Sequence, residues 1–196
     1  MKKSAVFSVF VLLCTLFLSS CVSLNFSHAA SDSQNELLEG WTDSDLRHVA
    51  DSLIQDCVNS TEVINYVAAT GKTPQVIIGP IENKTEGSVD TAKLSRRLQT
   101  SIVNSGSMKL LSAPEQLVAY SEFENDYYYA REKLIQAGME LGADFIIQGS
   151  VTSRIEDKGN RKICTFLIDL ELLEVQTELI LWQGMNDSIK TTESIL

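Results

Sequence analysis

Three groupings in this chain of 196 residues carry residue types suited to covalent or acid–base chemistry. Cys21 ends the run Leu18-Ser19-Ser20-Cys21, His48 stands nine residues before Cys57, and Asp169 and Glu171 are two residues apart. A thiol–imidazole pair needs both groups on one surface. At 100° per helical residue His48 falls about 200° from Leu46, on the wet side of a helix whose apolar stripe holds Cys57. The two cannot meet within that helix, and His48 reads as a solvated surface histidine. His28, the other histidine, lies in a polar stretch. Two carboxylates at i and i+2 on a strand are about 7 Å apart, a separation that glycosidases use. Such pairs flank a cleft from separate elements, however, and two acids on one strand face read as a solvated surface. No CxxC spacing supports a structural metal. No Gly-rich phosphate loop and no basic–aromatic patch occurs, so catalytic, cofactor and metal residues are all expected to be absent.

The first grouping does carry chemistry. Met1-Lys2-Lys3 is a short basic start, and Ala5 to Leu18 is an apolar run broken only by Ser8 and Thr15. That run is short for a membrane span and fits a secretory leader. Leu18-Ser19-Ser20-Cys21 resembles the bacterial lipobox. Small residues let the peptidase hold the chain extended, and the Cys21 sulfur takes a diacylglyceryl group before cleavage between Ser20 and Cys21. The alternative is an ordinary leader cut near Ser27-His28-Ala29, with Cys21 lost. Lipidation at Cys21 predicts an anchor of two or three acyl chains, enough for stable attachment. Val22, rather than Asp, follows the cysteine, which by resemblance to lipoproteins of two-membrane bacteria implies sorting to the outer membrane.

Charge narrows the partner. The chain has 16 Lys+Arg against 26 Asp+Glu, a net −10. Loss of Lys2 and Lys3 with the leader leaves 14 basic residues against 26 acidic ones, a net −12. Nucleic acid and anionic lipid surfaces require a positive footprint, so neither is expected as a partner. Cys57 and Cys164 remain after processing. An oxidising compartment would allow them to pair, but each sits in an apolar stripe where a free thiol behaves as a small hydrophobe. The spacing leaves both readings open.

The elements that position these residues follow from periodicity. Residues 21–40 form a flexible tether with an r.m.s. span of about 25 Å and a reach of at most about 65–70 Å. Trp41 to Ser60 is a helix with Leu46, Val49, Ala50, Leu53, Ile54 and Cys57 on one stripe, capped by Thr42, Asp43 or Ser44. Thr61 to Thr73 is a helical turn and then a loop. Gln75 to Ile81, bounded by Pro74 and Pro80, has the non-alternating apolar run of a strand buried on both faces. Asp90 or Thr91 caps a helix to Ser105 that buries Leu94, Leu98, Ile102 and Val103, and Gly106 ends it. Lys109 to Leu111 is a short strand, Pro114 starts a helical turn, and Tyr127 to Leu141 is a helix stopped by Gly142. Asp144 to Asp157, Arg161 to Val175 and Leu179 to Gln183 are strands. In the second of these, Cys164, Phe166, Ile168, Leu170 and Leu172 share a packed face, while Thr165, Leu167, Asp169 and Glu171 share a partly wet one. Glu122, Glu124 and Asp126 before Tyr127-Tyr128-Tyr129 read either as a partner patch or, with more weight, as an acidic helix entry with one buried ring. The α-β-α-β-α-β-β-β order predicts an α+β domain over residues 41–196. Its mixed sheet of four to five strands is packed with helices; the first two strands are parallel and the last three form an antiparallel meander.

Taken in order, these segments resemble a known family. Trp41 to Leu46 opening a helix, Val76-Ile77-Ile78-Gly79, Asn83-Lys84-Thr85 and Asp90-Thr91 are similar to segments of the LpoB-type penicillin-binding protein activators. So are Gly142 to Gly149 and Leu170 to Trp182. The resemblance covers roughly Gly40 to Asp187. The same domain shape is similar to the N-terminal domain of the TolB periplasmic protein and to part of curli-secretion lipoproteins. The resemblance implies an outer-membrane lipoprotein whose periplasmic domain binds a bifunctional penicillin-binding protein and raises its glycosyltransferase and transpeptidase rates, without being an enzyme and without a small-molecule substrate. A lipid-anchored envelope scaffold or secretion-associated lipoprotein of the same fold is the alternative, and a peptidoglycan hydrolase the third.

Overall fold

The computed structural model describes residues 42–87, 89–112 and 127–193. The elements are α1 (Asp43–Val58), α2 (Thr61–Thr70), β1 (Gln75–Asn83), α3 (Thr91–Ser105), β2 (Lys109–Leu110), α4 (Tyr127–Leu141), β3 (Phe145–Lys158), β4 (Arg161–Glu174) and β5 (Ile180–Glu193). One five-stranded sheet runs β2-β1-β3-β4-β5. β1 is parallel to both β2 and β3. β3, β4 and β5 form the expected antiparallel meander. The fold is therefore α+β with a mixed sheet.

Local chemistry accounts for the helix limits. Thr42 and Asp45 form a reciprocal capping box at the start of α1, satisfying two amides that the helix leaves without partners. Ser60 caps α2 and Asp90 caps α3. Gly71 and Gly106 end those two helices in the left-handed conformation. The covered face of the sheet packs Val76, Ile78, Phe145, Ile147, Val151 and the predicted β4 row from Cys164 to Leu172 against the apolar stripes of α1 and α3. The opposite face carries α4 alone among the described helices, with Leu134 and Ile135 on Ile77, Ile146, Leu173 and Val175.

Four expectations are corrected. Residues 61–70 form a full helix rather than a turn, because Ser60 supplies its cap and Tyr66 packs edge-on to Phe145 with ring centroids 4.9 Å apart. Val103 is 61% exposed and Ser101 is buried in its place; the helical step turns Ser101 toward α1, where its hydroxyl bonds to Asp51. β1 continues through Pro80 to Asn83, with a register shift between Ile78 and Ile81, a bulge being where a strand tolerates proline. β5 extends ten residues beyond Gln183, since pairing to the whole of β4 outweighs the weak strand preference of Gly184, Asn186 and Asp187. The helical turn expected at Pro114 lies outside the described residues.

Candidate docking surface

The pleat places alternate residues of each strand on opposite faces, so strand register defines both surfaces. On the face that carries α4, successive rows read Ile146–Leu173–Ile180, Gln148–Glu171–Gln183, Ser150–Asp169–Met185 and Thr152–Leu167–Asp187. α4 covers the β1–β3 side of the first row. Its fit depends on Gly138, where a Cβ would stand 3.1 Å from Val175 Cγ2 and 3.2 Å from Ile146 Cδ1. Arg131 of α4 donates to the Glu178 carbonyl at 3.0 Å, tying the helix to the β4–β5 turn. The remaining rows are half-buried or exposed. Met185 is 65% exposed, with Leu179 and Ile180 also open beside it.

Acids dominate this surface. Asp169 and Glu171 lie on it together, as read from the alternation, with Glu82 and Asp187 in flanking positions. Glu171 accepts a hydrogen bond from Gln148 Nε2, and Glu82 pairs with Lys84 at 2.8 Å. Among the described residues no side chain bonds to Asp169 or Asp187. Both carboxylates of the 169/171 pair project from one strand, and no second catalytic carboxylate faces them across a cleft.

The other candidates are dispersed. His48 is exposed on α1. Cys57 and Cys164 are buried free thiols, and the fold gives the reason. Asp56, next to Cys57, accepts from the Trp182 indole N–H at 3.0 Å, and Trp182 pairs with Leu172. Cys164 is eight residues away along β4, about 27 Å from that row. Burial, reinforced by the Asp56 charge, pushes the Cys57 thiol up to about 12, and burial raises Cys164 as well. Neither is a ready nucleophile. Desolvation and a hydrogen bond to Asp144 push the Tyr66 hydroxyl up to about 12, and the same carboxylate accepts from the Gln75 amide at 2.7 Å. These contacts lock α2 to the ends of β1 and β3. Among the described residues no group of three His, Cys, Asp or Glu side chains could hold a metal, and no helix is long and apolar enough to cross a membrane. Ser20, Cys21, Glu122, Glu124 and Asp126 lie outside the described residues. The backbone of Tyr127 to Tyr129 forms the start of α4.

Sequence reasoning missed Trp182 and Gly184 as a unit. The indole lies across Gly184, where a Cβ would come within 2.1 Å of its Cζ2. The signal was present as an aromatic two residues before a glycine on the same strand face.

A family model described as the peptidoglycan-synthase activator LpoB matches residues 45–187. The penicillin-binding protein activator LpoB of Yersinia pestis (strain D182038) is 26% identical over 136 residues, which is 67% of this chain and 63% of that protein. That of Escherichia coli (strain K12) is 26% identical over 112 residues, 56% of this chain and 49% of the relative. The chain thus spans less than two thirds of these relatives' length. The LpoB C-terminal domain from Salmonella enterica superposes with a TM-score of 0.50 at 20% identity, covering 74% of this chain and 98% of that domain, which shows a common fold.

Proposed function

This chain belongs to the peptidoglycan-synthase activator LpoB family, and from that premise we propose that it is an outer-membrane lipoprotein that binds and activates a bifunctional penicillin-binding protein. The observation that carries this reading is the extent of the family match, which takes in all but the ends of the α+β domain. Cys21 is the lipid attachment point, with the leader cut between Ser20 and Cys21. Residues 21–40 are the tether, and the domain from Trp41 onward stands in the periplasm.

The protein acts by binding and performs no chemistry of its own. Its folded histidine stands exposed on α1 and its two described thiols are buried and raised, so the chain has no assembled nucleophile–base pair. Activation is therefore allosteric. The domain binds the active conformer of the synthase more tightly than the inactive one, and a preference of about 1–3 kcal/mol gives a shift of about 5–150-fold.

The test mixes the purified lipoprotein with the cell's bifunctional synthase and follows glycan polymerisation and cross-linking. A rise in both is expected. Absence of binding at tens of micromolar would favour the scaffold reading, and release of fragments from peptidoglycan by the lipoprotein alone would restore the hydrolase. Cys21→Ala is expected to free the protein from the membrane fraction. Persistence there would refute lipidation.

A further inference from the structure

The two faces of the sheet are unequally dressed. Five strands at 4.8 Å spacing make a sheet about 19 Å wide, and a helix covers about 10 Å of it. α1 and α3 together suffice for one face. The other has α4 alone among the described helices, which leaves a lane about one helix wide over β4 and β5. Its floor is the row set from Glu171 to Leu167, and its outer edge is Ile180 and Met185.

The lane is acidic and the chain holds nothing to complement it. Residues 22–41 and 113–126 contain no lysine or arginine. A second copy would present the same acids, in a chain of net charge −10. The basic residues of α3, Lys93 and Arg97, belong to the opposite layer and pair with Asp90 and Asp43. The occupant must therefore come from a different molecule and bring positive charge together with apolar side chains that meet Met185 and Ile180.

We propose that the open β4–β5 lane is the docking surface for the synthase, and that it receives a basic, partly apolar surface element about as wide as a helix. This rests on the activator reading. Asp169 and Asp187, which no described side chain bonds, are the carboxylates free to engage arginine or lysine of the partner.

The test uses the full lipoprotein in detergent micelles and the intact synthase, with affinity and glycan polymerisation as readouts. The double variant Asp169→Lys/Asp187→Lys is expected to weaken binding about tenfold or more and to lose stimulation in parallel. Asp169→Asn/Asp187→Asn, nearly isosteric, is expected to fall between it and the wild type, and decides the matter should the lysine variant not fold. Lys93→Glu/Arg96→Glu on α3 is expected to bind like the wild type. Raising salt from about 50 to about 300 mM should weaken the wild type more than the asparagine variant. A folded asparagine or lysine variant with wild-type affinity overturns the surface while leaving the activator reading intact. A wild-type protein that fails to bind overturns both.

Discussion

The two faces of β4 differ by a single residue step and by almost everything else. Phe166 is fully buried under the helices, whereas its neighbour Leu167 is half-buried on the side that α4 does not reach. One face was built to be closed by its own chain. The other is closed only where α4 crosses it. A sheet that spends its apolar residues on one side and keeps Asp169, Glu171 and Asp187 on the other has separated the task of folding from the task of binding.

That contrast can be broken most directly at the 166/167 step. Phe166→Ala is expected to cost about 3–5 kcal/mol, and Leu167→Ala less than about 1 kcal/mol, both read by urea denaturation. Equal costs would mean that the second face is also packed. The edge of the covered face is tested at Gly184. Its replacement by Ala drives the Trp182 indole off the strand and away from Asp56, costing about 1–3 kcal/mol, with a change in indole fluorescence as the local readout.

On the α4 side, Glu178 adopts a left-handed conformation at φ 59° although it has a side chain. Glu178→Gly relieves that strain and is expected to stabilise by up to about 1 kcal/mol, visible as a raised melting temperature. The smallest effect belongs to the α1–α3 seam. The Arg97 hydrogen bond holds the Asp43 carboxyl below its ordinary range. A depressed carboxylate contributes stability above its unfolded pKa and loses it as pH falls through the folded value. Asp43→Asn should therefore be slightly less stable than the wild type at pH 7, and the two should converge on acidification below about pH 4 in a denaturation series.

Much of this was legible in the residues. The apolar stripe of α1, the alternation in β4 and the left-handed glycines fixed the helices, the meander and the faces before any coordinates. What was not legible depended on partners far off in sequence. The last ten residues of β5 lack strand propensity and are held by pairing with β4. α2 reads as a loop until Phe145, 79 positions after Tyr66, is brought beneath it. For the candidate site, the paired carboxylates Asp169 and Glu171 were visible as a wet strand face. That the face lies open toward β5 requires knowing where α4 comes to rest.

The outermost strand carries a consequence for life in a crowded compartment. β5 offers fourteen residues of backbone to any passing extended peptide, the kind of template on which fibrils start. Its flexible Gly184 and its charges at Asp187, Lys190 and Glu193 make that template a poor one, since an identical strand laid against it would bring carboxylates into register with one another. Many copies can thus be held side by side without their sheets fusing.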